Sequence, residues 1–192
     1  MSAGWQREDQ ADVAVDKILD AAEKAFIEVG VAATGMAKVA EFASCSRGTL
    51  YRYFKNRREL HMAYIHRSAS TIVLRVREKL TGIDDPRQQL VEGILFAVQD
   101  VRERPGTAAW FASGVSGATA QLSRSSEVIE AFTYAFASKL FENSENDPES
   151  RMSARWIVRV VVSLLVMPAE SPEEERTIVE RYATPGILQT PN

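Results

Sequence analysis

Three dipeptides constrain this chain most: Asp85-Pro86, Asp147-Pro148 and Ser171-Pro172. Each puts an oxygen-bearing side chain at an N-cap and a proline at the first helical position, where its missing N–H costs nothing. Each therefore opens a helix. Between such starts glycine and proline are sparse, and apolar residues recur at helical spacing. Ile18, Ala22, Ala25 and Phe26 carry that spacing in a first helix expected over 9–28, closed by Gly30 as a C-cap. Two short helices are expected over 36–43 and 47–53, separated by Ser44, Cys45 and Ser46. Asn56 with Glu59 three residues on is a capping-box variant that opens a long helix reaching Leu80. Helical segments over 107–111 and 127–141 flank a Gly114–Gly117 break and a polar stretch over 123–126. The single strand-like run, Val160-Val161-Val162, has no partner strand and follows the Asp147-Pro148 cap, so it is read as helix. The expected class is all-α.

A chain of 192 residues with 45% hydrophobic content can bury a full core. Its net charge of −3 argues against a wholly basic surface, such as that of a histone-like packager, and leaves room for a local basic face. Cys45 is the one cysteine, which rules out an intrachain disulfide or a cysteine-based zinc site and suggests a reducing compartment. The first ten residues lack the apolar stretch of a secretory signal. A cytoplasmic location is expected. The most apolar run, Trp156 to Met167, is interrupted by Arg159 and Ser163 and falls short of the roughly 20 residues a membrane span needs, so no membrane association is expected.

Catalytic motifs are missing: there is no Walker loop, His-Glu-x-x-His pair or Gly-x-Ser-x-Gly elbow. His61 and His66 stand five apart, about 140° from each other on a helix, so they cannot share a metal face, and both are expected at the surface. No catalytic residue, cofactor or metal is assigned.

The segment from Thr34 to Leu60 has the physics of a DNA-reading unit. Val39, Ala40, Ala43, Cys45, Leu50 and Phe54 supply small or moderate apolar groups that let two short helices cross closely around a tight turn. Ser46 is placed to cap the second helix while leaving N–H groups near its start for phosphate. In a helix-turn-helix the first residues of the second helix face base edges, which puts Arg47, Gly48 and Tyr51 at the major groove. Arg47 suits a bidentate contact to guanine, whereas Thr49, Tyr53 and Lys55 suit phosphate. Lys38, Arg47, Arg52, Lys55, Arg57 and Arg58 cluster here, whereas Asp9, Asp12, Asp16, Asp20 and Glu23 dominate the first helix. The charge is sorted toward the reading motif.

In order and spacing, Val39-Ala40, Ala43, Ser46, Gly48-Thr49-Leu50-Tyr51, Tyr53-Phe54 and Glu59-Leu60 resemble the signature of the tetracycline-repressor (TetR) family. The likeness covers roughly the first 60 residues. It implies a three-helix helix-turn-helix DNA-binding domain over 1–56, followed by a helical ligand-binding and dimerisation domain over 57–192. It also implies a homodimer on double-stranded operator DNA. The function implied is a ligand-responsive, sequence-specific transcriptional regulator, a repressor released from operator by a small-molecule effector. By the same resemblance Thr34, Thr49, Tyr53 and Lys55 are phosphate contacts and Arg47, Gly48 and Tyr51 lie near bases, with Ser46 and Arg57 in the same surface. Two positions depart from the pattern. Ser44 stands where a turn glycine is common, so a non-glycine residue has to adopt positive φ, and Gly35 stands where a second threonine is common.

The remaining aromatics allow two readings. Trp110, Phe111, Phe132 and Phe136 either line an effector cavity or simply fill a core. The Trp156–Met167 helix is apolar nearly all round, so one side is expected to meet its own core. The other, through Trp156, Val160, Leu164 and Met167, is expected to meet a two-fold mate. Competing with regulation is a helical enzyme or protein-interaction bundle that keeps the motif as a packing unit; specific DNA retention separates the two. Activation and repression are both compatible with these residues.

Overall fold

A computed structural model describes residues 3–112, 127–140 and 147–188, with side chains from residue 11 onward except at 140. The Gly114–Gly117 break, the 123–126 stretch and Phe141 lie outside the described residues. Among the described residues the chain is all-α. Helix α1 (Ala3–Val29) begins six residues before the expected start and ends at Gly30, whose φ of +82° is the left-handed C-cap geometry glycine adopts without a Cβ clash. Helices α2 (Met36–Phe42) and α3 (Arg47–Tyr53) follow. Ser44 between them has a φ of +50°, the positive value that its place in the turn demands. The Cys45 N–H closes that turn on the Ala40 carbonyl at 3.0 Å.

Helix α4 (Arg57–Lys79) starts where Asn56 accepts from the Glu59 N–H. Asp85, Asp147 and Ser171 cap α5 (Pro86–Glu103), α8 (Pro148–Val166) and α9 (Pro172–Ile178), each accepting from the N–H three residues on. Short α6 (Pro105–Ala108) and longer α7 (Glu127–Leu140) lie between α5 and α8. A π-helical turn (Val179–Ala183) and α10 (Pro185–Leu188) complete the chain. The Val160–Val162 run is helical, because α8's own cap and packing decide its backbone against β propensity.

Two hydrophobic clusters result. The first joins Ile18, Ala22 and Phe26 of α1 to Val39, Leu50, Leu60, Tyr64 and Trp110. The second joins Leu90, Ile94 and Val98 of α5 to Ile157, Val160 and Leu164 of α8 and to Val179 and Ile187. Phe111 packs against both.

This packing corrects the expected mate-facing surface of α8. Val160 and Leu164 are buried within their own chain against α5, their stripe turned progressively away from Trp156, by about 40° and 80° round the helix. The face left open carries Met152 and Trp156 of α8 and Met167 at its C-cap, with Tyr182 of the π-turn also exposed. The Trp156 Nε1–H donates to the Ala183 carbonyl at 3.4 Å, which holds α8 beside that turn.

Candidate nucleic-acid interface and adjoining cavity

Helix α3 is held from beneath and open from above. Leu50 is fully buried and Phe54 nearly so, while Arg47, Gly48, Tyr51 and Arg52 face outward. The Ser46 Oγ accepts from the Thr49 N–H at 3.0 Å and shares a hydrogen with the Thr49 Oγ1 at 2.9 Å. A Cβ built on Gly48 would meet only Ser46 Oγ, at 3.8 Å, so nothing inside the fold requires glycine there. Tyr53 is half-buried, with the Arg52 guanidinium 5.3 Å above its ring. Lys55 is exposed, and its backbone N–H donates to Glu59 Oε2.

Among the described residues no carboxylate pairs with Arg47, Arg52, Lys55 or Arg58, whereas Lys38 is paired with Glu41 at 3.0 Å. Arg52 and Arg58 thus join the exposed cations, a placement that the charge cluster around α3 already signals.

Two expected DNA contacts also brace the fold, Thr34 from inside it and Arg57 from its surface. Thr34 is 1% exposed, and its Oγ1 donates to the carbonyls of Gly30 at 2.8 Å and Ala25 at 3.2 Å. A hydroxyl spent inside the fold cannot also reach phosphate. Arg57 donates from Nη2 to the carbonyls of Val31 at 2.6 Å and Ala32 at 2.9 Å, and from Nε to His61 Nε2 at 3.3 Å. It ties the start of α4 to the loop after α1.

Behind this unit lies a cavity of about 160 Å³. Trp110, Phe111, Phe132 and Phe136 all line it, with residues from α4, α5, α6 and α8. The stacked Phe132 and Phe136 rings have centroids 6.1 Å apart. Trp110 belongs to the cavity wall and to the first cluster at once. Its ring stands edge-on to Phe26 at 5.3 Å and His61 at 4.8 Å, and stacks on Tyr64 at 6.0 Å. Burial is the larger cause that pushes the Tyr64 hydroxyl's pKa upward, followed by the nearby Glu23 charge. Tyr64 therefore stays neutral.

Residues 18–64 match the family model for bacterial regulatory proteins of the tetR family. Over 183 residues the chain is 35% identical to an uncharacterized HTH-type transcriptional regulator of Mycobacterium tuberculosis, covering 95% of this chain and 90% of that protein. The chain belongs to the TetR family. Its fold is shared with the TetR family repressor AlkX from a Dietzia strain, implicated in n-alkane biodegradation (TM-score 0.64, 22% identity, 89% of this chain and 93% of that one). The same holds for RolR in complex with resorcinol (TM-score 0.63, 16% identity, 91% and 96%). This TetR-family protein is a helix-turn-helix DNA-binding transcriptional regulator, and its family is one of regulators, not enzymes. Among the described residues no helix is long and apolar enough to cross a membrane, and no group of three or more metal-ligating side chains is assembled.

His61, expected at the surface, is instead buried between Phe26 and Trp110. Its face of α4 is chosen by α1 and by Trp110, the latter 49 positions away in the chain. Burial, then the Arg57 charge, lowers its pKa from 6.5 to about 4. Unfolded chains thus take up this proton near pH 6.5 and the folded protein only near 4. The neutral histidine's contribution is complete above pH 6.5 and is lost as pH falls toward 4. Between pH 7 and 5 the native protein should lose about 2 kcal/mol more stability than His61→Phe, at about 1.4 kcal/mol per pH unit. Urea denaturation across that range measures it. Parallel pH profiles for the two proteins would show that His61 carries no such linkage.

Proposed function

We propose that the protein is an effector-released repressor that acts as a homodimer in the cytoplasm, with residues 1–56 as its DNA-binding domain and 57–192 as its effector-binding and dimerisation domain. One observation carries the DNA-reading part: α3 presents Arg47, Gly48 and Tyr51 on a face with no internal packing role, flanked by unpaired cations. In this reading Arg47, Gly48 and Tyr51 meet base edges. Ser46, Thr49, Tyr53 and Lys55 meet phosphates, joined by Arg52 and Arg58. Arg47→Ala should lose the preference for operator over random duplex, whereas Lys55→Ala should weaken both alike and lower the salt slope by roughly one. Fluorescence anisotropy on selected and random duplexes between about 50 and 200 mM salt measures both effects. Equal binding of the two duplexes by the unaltered protein would overturn sequence-specific reading.

The dimer is supported by the open apolar face of Met152, Trp156, Met167 and Tyr182, where Met167 is 67% and Tyr182 74% exposed. A two-fold contact through this face would bury the largest exposed side chains of the C-terminal half and place two heads roughly 34 to 36 Å apart, one turn of DNA. Trp156→Glu with Met167→Glu should convert the sedimenting species from dimer to monomer at micromolar concentration. A monomer before substitution, or a dimer unaffected by it, would refute this interface.

Effector control is supported by the linkage of cavity to head. Trp110 fills both, and α4 is bound to α1 by Arg67, which reaches Asp20 at 2.8 Å and Asp16 at 3.6 Å. Asp100, nearly fully buried on α5, pairs with Arg75 of α4 at 2.9 Å and with Arg104 before α6 at 3.1 Å. A molecule that moves Trp110 or α6 would tilt α4 and with it the head. Resorcinol bound to RolR and the repressor role of AlkX support the same reading by likeness of fold. Coupling of about 1 to 3 kcal/mol would weaken operator binding about 5- to 150-fold, and operator would weaken effector binding by the same factor. Titration of effector with and without operator tests this. Unchanged affinities in both directions would mean that the protein is not such a switch.

A further inference from the structure

The cavity's chemistry narrows what can enter it. Among its described lining residues there is no aspartate, glutamate, lysine, arginine or histidine. Four hydroxyl residues remain: Tyr64, Ser68, Thr107 and Thr133. Two of them have already committed their protons to backbone. Thr107 Oγ1 donates to the Val101 carbonyl at 2.8 Å, and Thr133 Oγ1 to the Ile129 carbonyl at 2.7 Å. A carboxylate or ammonium group placed here would lose its hydration and gain no counter-charge. Of the charges around it, Arg75 and Arg104 are both paired to Asp100, and Arg77 lies 5.3 Å from the centre of the Phe132 ring without itself lining the cavity.

Size gives the second limit. At about 160 Å³ the space is close to the roughly 150 Å³ of an engineered apolar cavity that stays dry and takes up benzene. Shape gives the third. Phe132 and Phe136 stack on each other 19° from parallel, and Tyr64 and Trp110 11° from parallel, so two stacked pairs of rings contribute to the wall. Offset or edge contacts with such rings suit a flat ring.

We infer that this cavity binds an uncharged, hydrocarbon-like molecule about the size of a single six-membered ring, of the class to which benzene and toluene belong. This rests on the effector-control reading and specifies its ligand. Entry is available from one side: Ile129, Thr133 and Val158 line both the cavity and an outer groove between α7 and α8. That groove carries Glu127 and Glu130 together with Arg151, Arg155 and Arg159. Its mixed charge surrounds the approach and leaves the interior apolar.

Toluene titrated into the full-length protein by calorimetry tests the inference, with benzoate and octanoate as charged comparators. Toluene should saturate one site per chain with a submillimolar Kd. In the unaltered protein it should also shift the indole N–H resonance of Trp110, identified with Trp110→Phe, and leave that of Trp156 in place. Ala97→Phe, which fills the cavity from α5, should weaken toluene at least about tenfold. Absence of toluene binding, or binding that leaves the Trp110 resonance unmoved, overturns the inference whether or not Ala97→Phe folds. Tighter binding of octanoate or benzoate, lost in Arg155→Ala, overturns it in favour of an anionic amphiphile seated across the groove. An operator-retention arm separates this from the reading beneath it. Toluene that binds at Trp110 without changing operator affinity leaves the ligand class standing and removes effector control. Release of operator by a charged compound alone keeps effector control and removes the ligand class.

Discussion

Trp110 is the interaction on which both halves of this molecule depend. The short helix α6 delivers its indole into a cage made by Phe26 of α1 and His61 and Tyr64 of α4, while another part of the same ring faces the cavity. Interiors are close-packed, so a side chain shared by two sites cannot move for one without disturbing the other. Gly106 shows how tightly α6 is seated. A Cβ there would overlap the Glu23 side chain and crowd the Tyr64 hydroxyl, so any larger residue would have to displace one of them. The neutral states of His61 and Tyr64 follow from the same burial.

Electrostatics divide the chain's cations into two populations. Arg57 and Arg67 hold α4 against α1, and Arg75 and Arg104 converge on buried Asp100. Around α3, Arg47, Arg52, Lys55 and Arg58 meet no carboxylate among the described residues. Unpaired cations on one surface give a positive field that a weakly acidic protein can present to DNA without being basic overall. The acidic residues that bring the net charge below zero lie partly on α1, where Asp16, Asp20 and Glu23 are occupied by Arg67.

Resemblance to the family and the geometry of the reading helix converge from independent directions. The signature residues Val39, Ala40, Leu50 and Phe54 are the ones the fold buries, and those between them on α3 are the ones it exposes. Of the expected contact set, Thr34 is buried and Arg57 is exposed. Both donate to backbone carbonyls at the end of α1 and in the loop after it.

What the chain determines locally was legible in it. The caps at Asn56, Asp85, Asp147 and Ser171, the Gly30 stop and the positive φ at Ser44 depend on atoms within a few residues of each other, so spacing alone locates them. The reading helix, Arg47–Tyr53, was legible for the same reason, as were the aromatics that line the cavity, though only as one of two readings. Tertiary structure decided which side of each helix faces inward. Val160 and Leu164 turn to α5 while Trp156 and Met167 stay open, and His61 is buried because Phe26 and Trp110 cover it. A helix that is apolar nearly all round has no periodic preference for one face, and a cavity exists only where side chains from distant helices fail to fill the space between them. Neither is a property of any short stretch of sequence.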